Sequence, residues 1–440
     1  GQDIAIVDTL APAVIYSAGK VEQQNTHSTI VQSKQGLPLL VNNGLVNSVQ
    51  GGDIHLVAGR HIVGQEIVTD DAKGTVTGQA KMDISQFWWP WLQNPCFFTE
   101  VGCGNNTSSA INLAMFNQGI LSVGGNVDIA AQGNVRDLSV SLPTTWTKQN
   151  NQTQLYGGGN LDLYTGGNLL SGSYFVAKGT GNINVDGTMS ADVFDDNFNP
   201  IATLFAMQDS KLNIVVNSYA EAGGVFNPSW LFTGFDSQSY SANSSFNLQS
   251  ISNSVVLGNL ASTAGSSYGA NDTIESVLSK GYNFIAPANV DIVAAFGSVN
   301  IRKNLELYPS ATGQLNIFAD GNINLINNDV NNSYVGLIDA DASVLPSIDN
   351  PILNNVKASF IKSGQNSAVD LHSALGLHRA DNQPMRLYSV KGSLVNGHPD
   401  RQYNGAMIIA SPKFADIRAG LDIVNLSFMG QHLYASDVTN

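Results

Sequence analysis

Between Tyr156 and Met189 the chain alternates apolar and polar positions in short bursts, each opened by a Gly-Asn pair: Gly159-Asn160-Leu161-Asp162-Leu163, Gly167-Asn168-Leu169-Leu170 and Gly181-Asn182-Ile183-Asn184-Val185. Gly and Asn tolerate positive φ and so turn corners, while a period of two sends successive side chains to opposite faces of a strand. The recurring unit is a turn followed by a short strand with one buried face.

The same word returns as Gly52-Asp53-Ile54-His55-Leu56, Gly125-Asn126-Val127-Asp128-Ile129, Ala288-Asn289-Val290-Asp291-Ile292, Gly313-Gln314-Leu315-Asn316-Ile317, Gly321-Asn322-Ile323-Asn324-Leu325 and Gly420-Leu421-Asp422-Ile423. Units this short cannot bury an apolar face alone and must stack on their neighbours. The pattern predicts an all-β chain, a right-handed parallel β-helix with loop insertions. Spacing between words is uneven, 22 positions from Leu161 to Ile183 and 25 from Val290 to Leu315, which suits variable loops better than a short-period β-roll. At about 22 residues and ~4.8 Å per coil, about 12 to 16 coils are expected in a rod of about 60 to 75 Å.

In chain order, residues 1–81 read as N-terminal coils and 82–118 as an insertion rich in aromatics and carrying both cysteines. Residues 119–189 read as regular coils, interrupted at 143–154 by a polar loop bearing Trp146. Residues 190–287 read as an irregular Ser/Asn-rich insertion, with helical spacing over 273–281, and 288–440 as C-terminal coils.

Composition narrows the function classes. Only 12% of residues are charged, and 34 acidic side chains against 20 basic ones leave a net charge of −14. Binding a polyanion needs a basic stripe, so no nucleic-acid partner is expected, and an anionic membrane surface is disfavoured. No apolar run reaches the ~18 residues of a spanning helix. The opening Gly-Gln-Asp, without Met or signal peptide, reads as a mature or excised piece. Cys96 and Cys103 bracket a span whose spacing a local disulfide tolerates and metal sites do not use. A disulfide would imply an oxidising compartment; two buried thiols are the other reading.

The densest aromatic group, Trp88, Trp89, Trp91, Phe97 and Phe98, fits a regular coil poorly and should project as a loop over the rod. Exposed, these rings would stack on sugar faces or anchor a partner protein; packed, they would form a satellite core pinning the loop.

Catalytic candidates are sparse. Parallel β-helices also host polysaccharide lyases and hydrolases, which need carboxylates at set separation or Asp-bound calcium. Asp195-Asp196, Asp339, Asp341, Asn300-Ile301-Arg302-Lys303 and Gly397-His398-Pro399 are loose echoes, with the Arg-Lys word preceding the Gly-His word and Pro399 where a pectinase has Gly. Gly265-Ser266-Ser267-Tyr268-Gly269 matches a nucleophile elbow in letters, but the elbow needs a helix straight after the serine and helical spacing begins only at Thr273. His55 and His61, and His372 and His378, lie six apart, which is not a zinc spacing. The string Gly157 to Asp162 resembles a calcium nonapeptide only once. No catalytic residue, metal or cofactor is expected.

The phrase Leu377-His378-Arg379-Ala380-Asp381-Asn382-Gln383-Pro384-Met385-Arg386-Leu387-Tyr388-Ser389-Val390-Lys391-Gly392 resembles one found in filamentous-haemagglutinin-like exoproteins, and the repeated Gly-Asn-Leu-Asp-Leu words are similar to theirs. Ser389 and Ser393 stand where that phrase more often has Ala and Asp. The resemblance implies two-partner secretion: an extracellular or outer-membrane-surface rod, exported through an outer-membrane transporter barrel. It further implies a role in attachment to a host or neighbouring-cell glycan or protein receptor. The family's secretion-domain motif and toxin-boundary motif are absent from these 440 residues, so the piece is expected to be shaft. Open strand edges at the end of such a shaft, with no obvious cap before Asn440, make continuation into further chain or end-to-end self-assembly the expectations.

Overall fold

The computed structural model describes residues 1–6, 13–18, 20–21, 28–32, 38–42, 48–49, 51–64, 69–70, 75–76, 92–93, 108–111, 118–194, 200–228, 238–258, 285–302, 304–326, 334–344, 347–348, 376–397 and 407–431.

Short strands pile up in three parallel columns around one aliphatic interior, which makes the chain a parallel β-helix. Face 1 is built, rung upon rung, from Ile54–Ala58, Val127–Ala131, Leu161–Thr165, the ends of Ser173–Val185 and Thr203–Val216, then Ser245–Ser250, Asn289–Ala294, Gln314–Ala319, Met385–Ser389 and Ala415–Ala419. Face 2 runs from Ile4–Ala5 and Ile62–Val63 through strands such as Leu169–Leu170 and Val299–Ile301 to Ile423–Val424. Face 3 begins with Ala13–Ala18 and Gln118–Val123 and ends with Tyr334–Leu337, Ile408–Ser411 and Ser427–Gly430.

Alternation decides which side chains go inside. In Leu161–Thr165 the first, third and fifth residues are buried and Asp162 and Tyr164 point out. Register then stacks like on like: Val127 sits between Ile54 and Leu161, and Ile129 between Leu56 and Leu163. Aromatic residues stack the same way, with Tyr174 and Phe205 at 6.1 Å and Phe205 and Phe246 at 5.5 Å between ring centroids. Each such side chain contributes about 1.5 to 3 kcal/mol on burial.

Corners are held by side-chain ladders. Ahead of face 1, Asp53 accepts from the Asn126 amide, Asn126 from Asn160, and Asn160 from Thr180, at 2.7, 3.0 and 2.9 Å. Ahead of face 2, His61 accepts from Asn134, Asn134 from Asn168, and Asn168 from Thr188. Further on, the same place is taken by Ser254, Ser298, Asn322, Ser393 and Asp422. Glycine precedes several of these positions for a steric reason: a Cβ on Gly187 would lie 2.2 Å from Asn168 Oδ1.

Several expectations need correction. Face 1 has ten rungs among the described residues, about 43 Å at ~4.8 Å per rung, and not 12 to 16 coils. A coil of about 22 residues lies near the short end of the range. Successive corner links are in fact separated by as little as 20 residues (Asn168 to Thr188) and as much as 73 (Asp53 to Asn126). The span 190–287 is not one insertion, since Thr203–Val216, Ala220–Phe226, Ser245–Ser250 and Val255–Leu257 are rungs in register. Its long runs of buried residues, such as Thr203–Gln208, hide the alternation on which the reading relied.

Residues 1–81 are not coils throughout. Ser28–Gln32 pairs antiparallel with Pro38–Asn42, and Lys20–Val21 with Ser48–Val49, so this part of the chain leaves the helix as a hairpin. Nor is 143–154 a polar loop. Thr144–Gln149 and Gln152–Gly157 form an antiparallel hairpin that continues through Ser108–Ile111 to Leu92–Gln93. Trp146 is fully buried there, and its amide donates to Ser109 Oγ at 3.2 Å. The segment 273–281 lies outside the described residues.

Candidate functional site

Each face 1 strand leaves two positions pointing outward, and register turns them into two parallel columns along the rod. The first column is His55, Asp128, Asp162, Asn182, Asn213, Asn247, Asp291, Asn316, Arg386 and Asp416. Many rungs are bonded to the next. His55 Nδ1 lies 2.7 Å from Asp128, and Asn182 donates to Asp162 at 2.8 Å. Asn213 donates to Asn182, Asn247 to Asn213, and Asn316 to Asp291. Amides suit such a ladder because each carries both a donor and an acceptor.

The neighbouring column mixes apolar and aromatic side chains with a few polar ones: Val57, Ala130, Tyr164, Asn184, Val215, Gln249, Val293, Phe318, Tyr388 and Arg418. Val57, Tyr164 and Phe318 are exposed. At the last two rungs the columns join. Tyr388 donates its hydroxyl to Asp416 at 2.6 Å, Arg418 donates to the same carboxylate at 2.7 and 2.8 Å, and the Arg418 guanidinium lies 5.1 Å from the Tyr388 ring centre. The hydrogen bond from Arg418 holds the Asp416 carboxyl below its usual range, and the bond to Asp416 pushes the Tyr388 phenol up. A flat strip with amides and carboxylates in one column and apolar faces in the next can hydrogen-bond and stack on an extended polar ligand.

A second cluster is buried at the corner leading to Met385–Ser389. Asp381 accepts from Lys413 Nζ at 2.5 Å, Gln314 Nε2 at 3.1 Å and the Gln383 amide at 3.0 Å. Lys413 also donates to the Gly313 carbonyl at 2.9 Å. Burial pushes the Lys413 ammonium pKa down against the pull of Asp381. Burial would raise Asp381, but the bonds from Lys413 and Gln383 bring it below the usual carboxylate value. His378 Nδ1 is 3.5 Å from Asp381, too far for a hydrogen bond, and burial lowers its pKa. With His378, Asp381 and Lys413 almost fully enclosed, the cluster fastens three successive coils together and offers no open position to a substrate.

Trp88, Trp89, Trp91, Phe97, Phe98, Cys96 and Cys103 lie outside the described residues, as do Asp195, Asp196, Lys303, His372, His398, Pro399 and the 265–269 word. The catalytic echoes within them are dispersed. Asp339 accepts from the Leu377 amide and Asp341 from that of Ser343, while Arg302 lies 3.9 Å from Glu221. His55 points out from face 1 whereas His61 sits in a corner, so the pair does not share a strand. Among the described residues no group of three His, Cys, Asp or Glu side chains could hold a metal ion.

The outward columns were missed by reading single words, although the even positions of each word already contained them. Lys413 left no sequence signal, because its partner lies 32 residues away. Comparison with protein-family models, with curated proteins and with solved structures returned no match.

Proposed function

We propose that this chain is part of an extracellular bacterial surface rod of the haemagglutinin or adhesin type, exported through an outer-membrane transporter barrel and binding a glycan or protein receptor on a host or neighbouring cell. The observation that carries the reading is the face 1 strip, two in-register columns of outward side chains on a scaffold whose interior is fully committed to packing. Such a scaffold acts by presenting side chains at fixed intervals. The phrase from Leu377 to Gly392 supports it as well: it spans one corner and one face 1 strand and reaches the next corner.

Two surfaces could select the receptor, the strip and the aromatic segment around Trp88 and Trp91. A glycan array separates them. Trp88→Ala with Trp91→Ala should abolish binding if that segment is the reader, and Phe318→Ala with Tyr388→Ala if the strip is, with circular dichroism unchanged in both. Binding to no glycan and no cell surface by the wild-type chain would sink the adhesin reading.

A further inference from the structure

The buried corner cluster holds more than an ion pair requires. Lys413 Nζ lies 2.5 Å from Asp381 Oδ2, with only 1% and 6% of the two side chains exposed. A second bond, to the Gly313 carbonyl, aims the amine. Each oxygen of the carboxylate has a further donor of its own: the Gln383 amide on Oδ1 at 3.0 Å, and Gln314 Nε2 on Oδ2 at 3.1 Å. His378 Nδ1 stands 3.5 Å from the same Oδ2, is buried, and has no hydrogen-bond partner among the described residues. A polar atom enclosed without a partner is destabilising, and an ion pair already served by Gln314 and Gln383 does not need it.

We propose that Lys413 and Asp381 condense into an intramolecular amide, Nζ bonded to Cγ, with the release of one water. The ammonium first passes a proton to Oδ2, and the free amine attacks Cγ. Negative charge then develops on Oδ1, where the Gln383 N–H already points as an oxyanion donor. His378 Nδ1 takes a second proton from the nitrogen and delivers it to Oδ2, the Cγ–Oδ2 bond breaks, and water leaves. One hydrogen stays on the amide nitrogen. The net charge of the chain is unchanged, because one positive and one negative group disappear together. Burial lowers the pKa of both His378 and Lys413, and the Arg386 charge adds to the effect at Lys413, so the imidazole is neutral and the amine sheds its proton more readily. Against burial, Asp381 is held ionised chiefly by the hydrogen bond and charge of Lys413 itself, a pull that ends once the proton crosses.

Two effects favour the step. The fold holds amine against carboxyl, so positioning replaces collision. The product is uncharged, whereas the pair it replaces keeps two charges out of water. The bond closes a loop of chain from Asp381 to Lys413, 32 positions, which contains the strand Met385–Ser389 and ends ahead of Ala415–Ala419. Two coils thereby become one covalent unit, and the unfolded chain is constrained as it is by a disulfide. The inference goes beyond the proposed function and holds whether or not the rod binds a receptor.

Intact-mass spectrometry of the full chain, after thiol reduction, should read one water below the mass its sequence gives. Trypsin should leave residues 380–386 joined to residues 402–418, because an acylated Lys413 is not cut; the unreacted chain gives 402–413 and 414–418 as separate peptides. Lys413→Met should restore the full mass. If that variant fails to fold, the peptide map of the wild-type chain decides alone. In samples taken at successive times after refolding, His378→Gln should form the bond more slowly by about a hundredfold or more, with circular dichroism unchanged. A wild-type chain of full mass, a water loss that maps to any other peptides, or an unchanged rate in His378→Gln would overturn the inference.

Discussion

Lys413 reaches across 32 positions of chain to donate a hydrogen bond to Asp381, and both side chains are buried. Removing one member of such a pair leaves the other charge enclosed and uncompensated, at a cost of about 3 to 5 kcal/mol. Lys413→Met and Asp381→Leu should therefore each lower the urea midpoint strongly. Together they should cost much less than the sum of the two, which a double-mutant cycle reads directly.

The same corner makes stability depend on pH. Burial holds the folded His378 pKa below its ordinary 6.5, so on acidification the unfolded chain takes up that proton before the folded one does. Stability is complete above 6.5 and is lost as pH falls through the window below it. Glu306, away from that corner on the strand Leu305–Leu307, has the opposite sign. Burial pushes its carboxyl from 4.5 to about 7, so the folded chain holds the extra proton and stability falls as pH rises between those values. Glu306→Gln should add about 1 to 3 kcal/mol at pH 8 and remove the second slope, whereas His378→Gln should flatten only the first. Unfolding curves at a series of pH values separate the two.

Leu163 lies between Ile129 and Ile183 in the interior, while its neighbour Asp162 points outward. Leu163→Asp should cost more than about 4 kcal/mol, because a carboxylate would be enclosed without a partner. Limited proteolysis should then cut the adjoining coils first. Asp162→Ala should change stability by no more than about 1 kcal/mol. Equal effects at the two positions would contradict the inward and outward assignment.

At the corner ahead of face 2, Asn168 accepts from both the amide and the hydroxyl of Thr188, at 2.9 and 3.2 Å. Asn168→Ala leaves the Thr188 amide without its acceptor and should cost about 1 to 3 kcal/mol. Asn168→Asp keeps the acceptor and should cost less. Hydrogen exchange at the Thr188 amide reports the loss locally.

Much of the fold was legible because a coil writes its own pattern. Gly-Asn marks the corner, and a period of two marks the strand, so Leu161, Leu163, Ile183 and Ile292 could be placed inside from their neighbours alone. Where long runs are buried, as in Thr203–Val216, the period disappears and register cannot be read locally. Trp146 reads as a loop residue in the sequence because its shelter comes from Ser108–Ile111, a strand far back in the chain. The Lys413 and Asp381 pair was invisible for the same reason: distance along the chain carries no trace of proximity across coils. The outward columns needed no missing information, only the comparison of one word with the next in register.

The corner ladders recur along the rod although the chain between successive links varies from 20 to 73 residues. Such a body behaves as a ruler whose graduations stay evenly spaced however much ribbon is looped between them. Segments can lengthen, shorten or be exchanged at one mark without moving any other, so new surface decoration can be acquired while the pitch of the shaft is left alone.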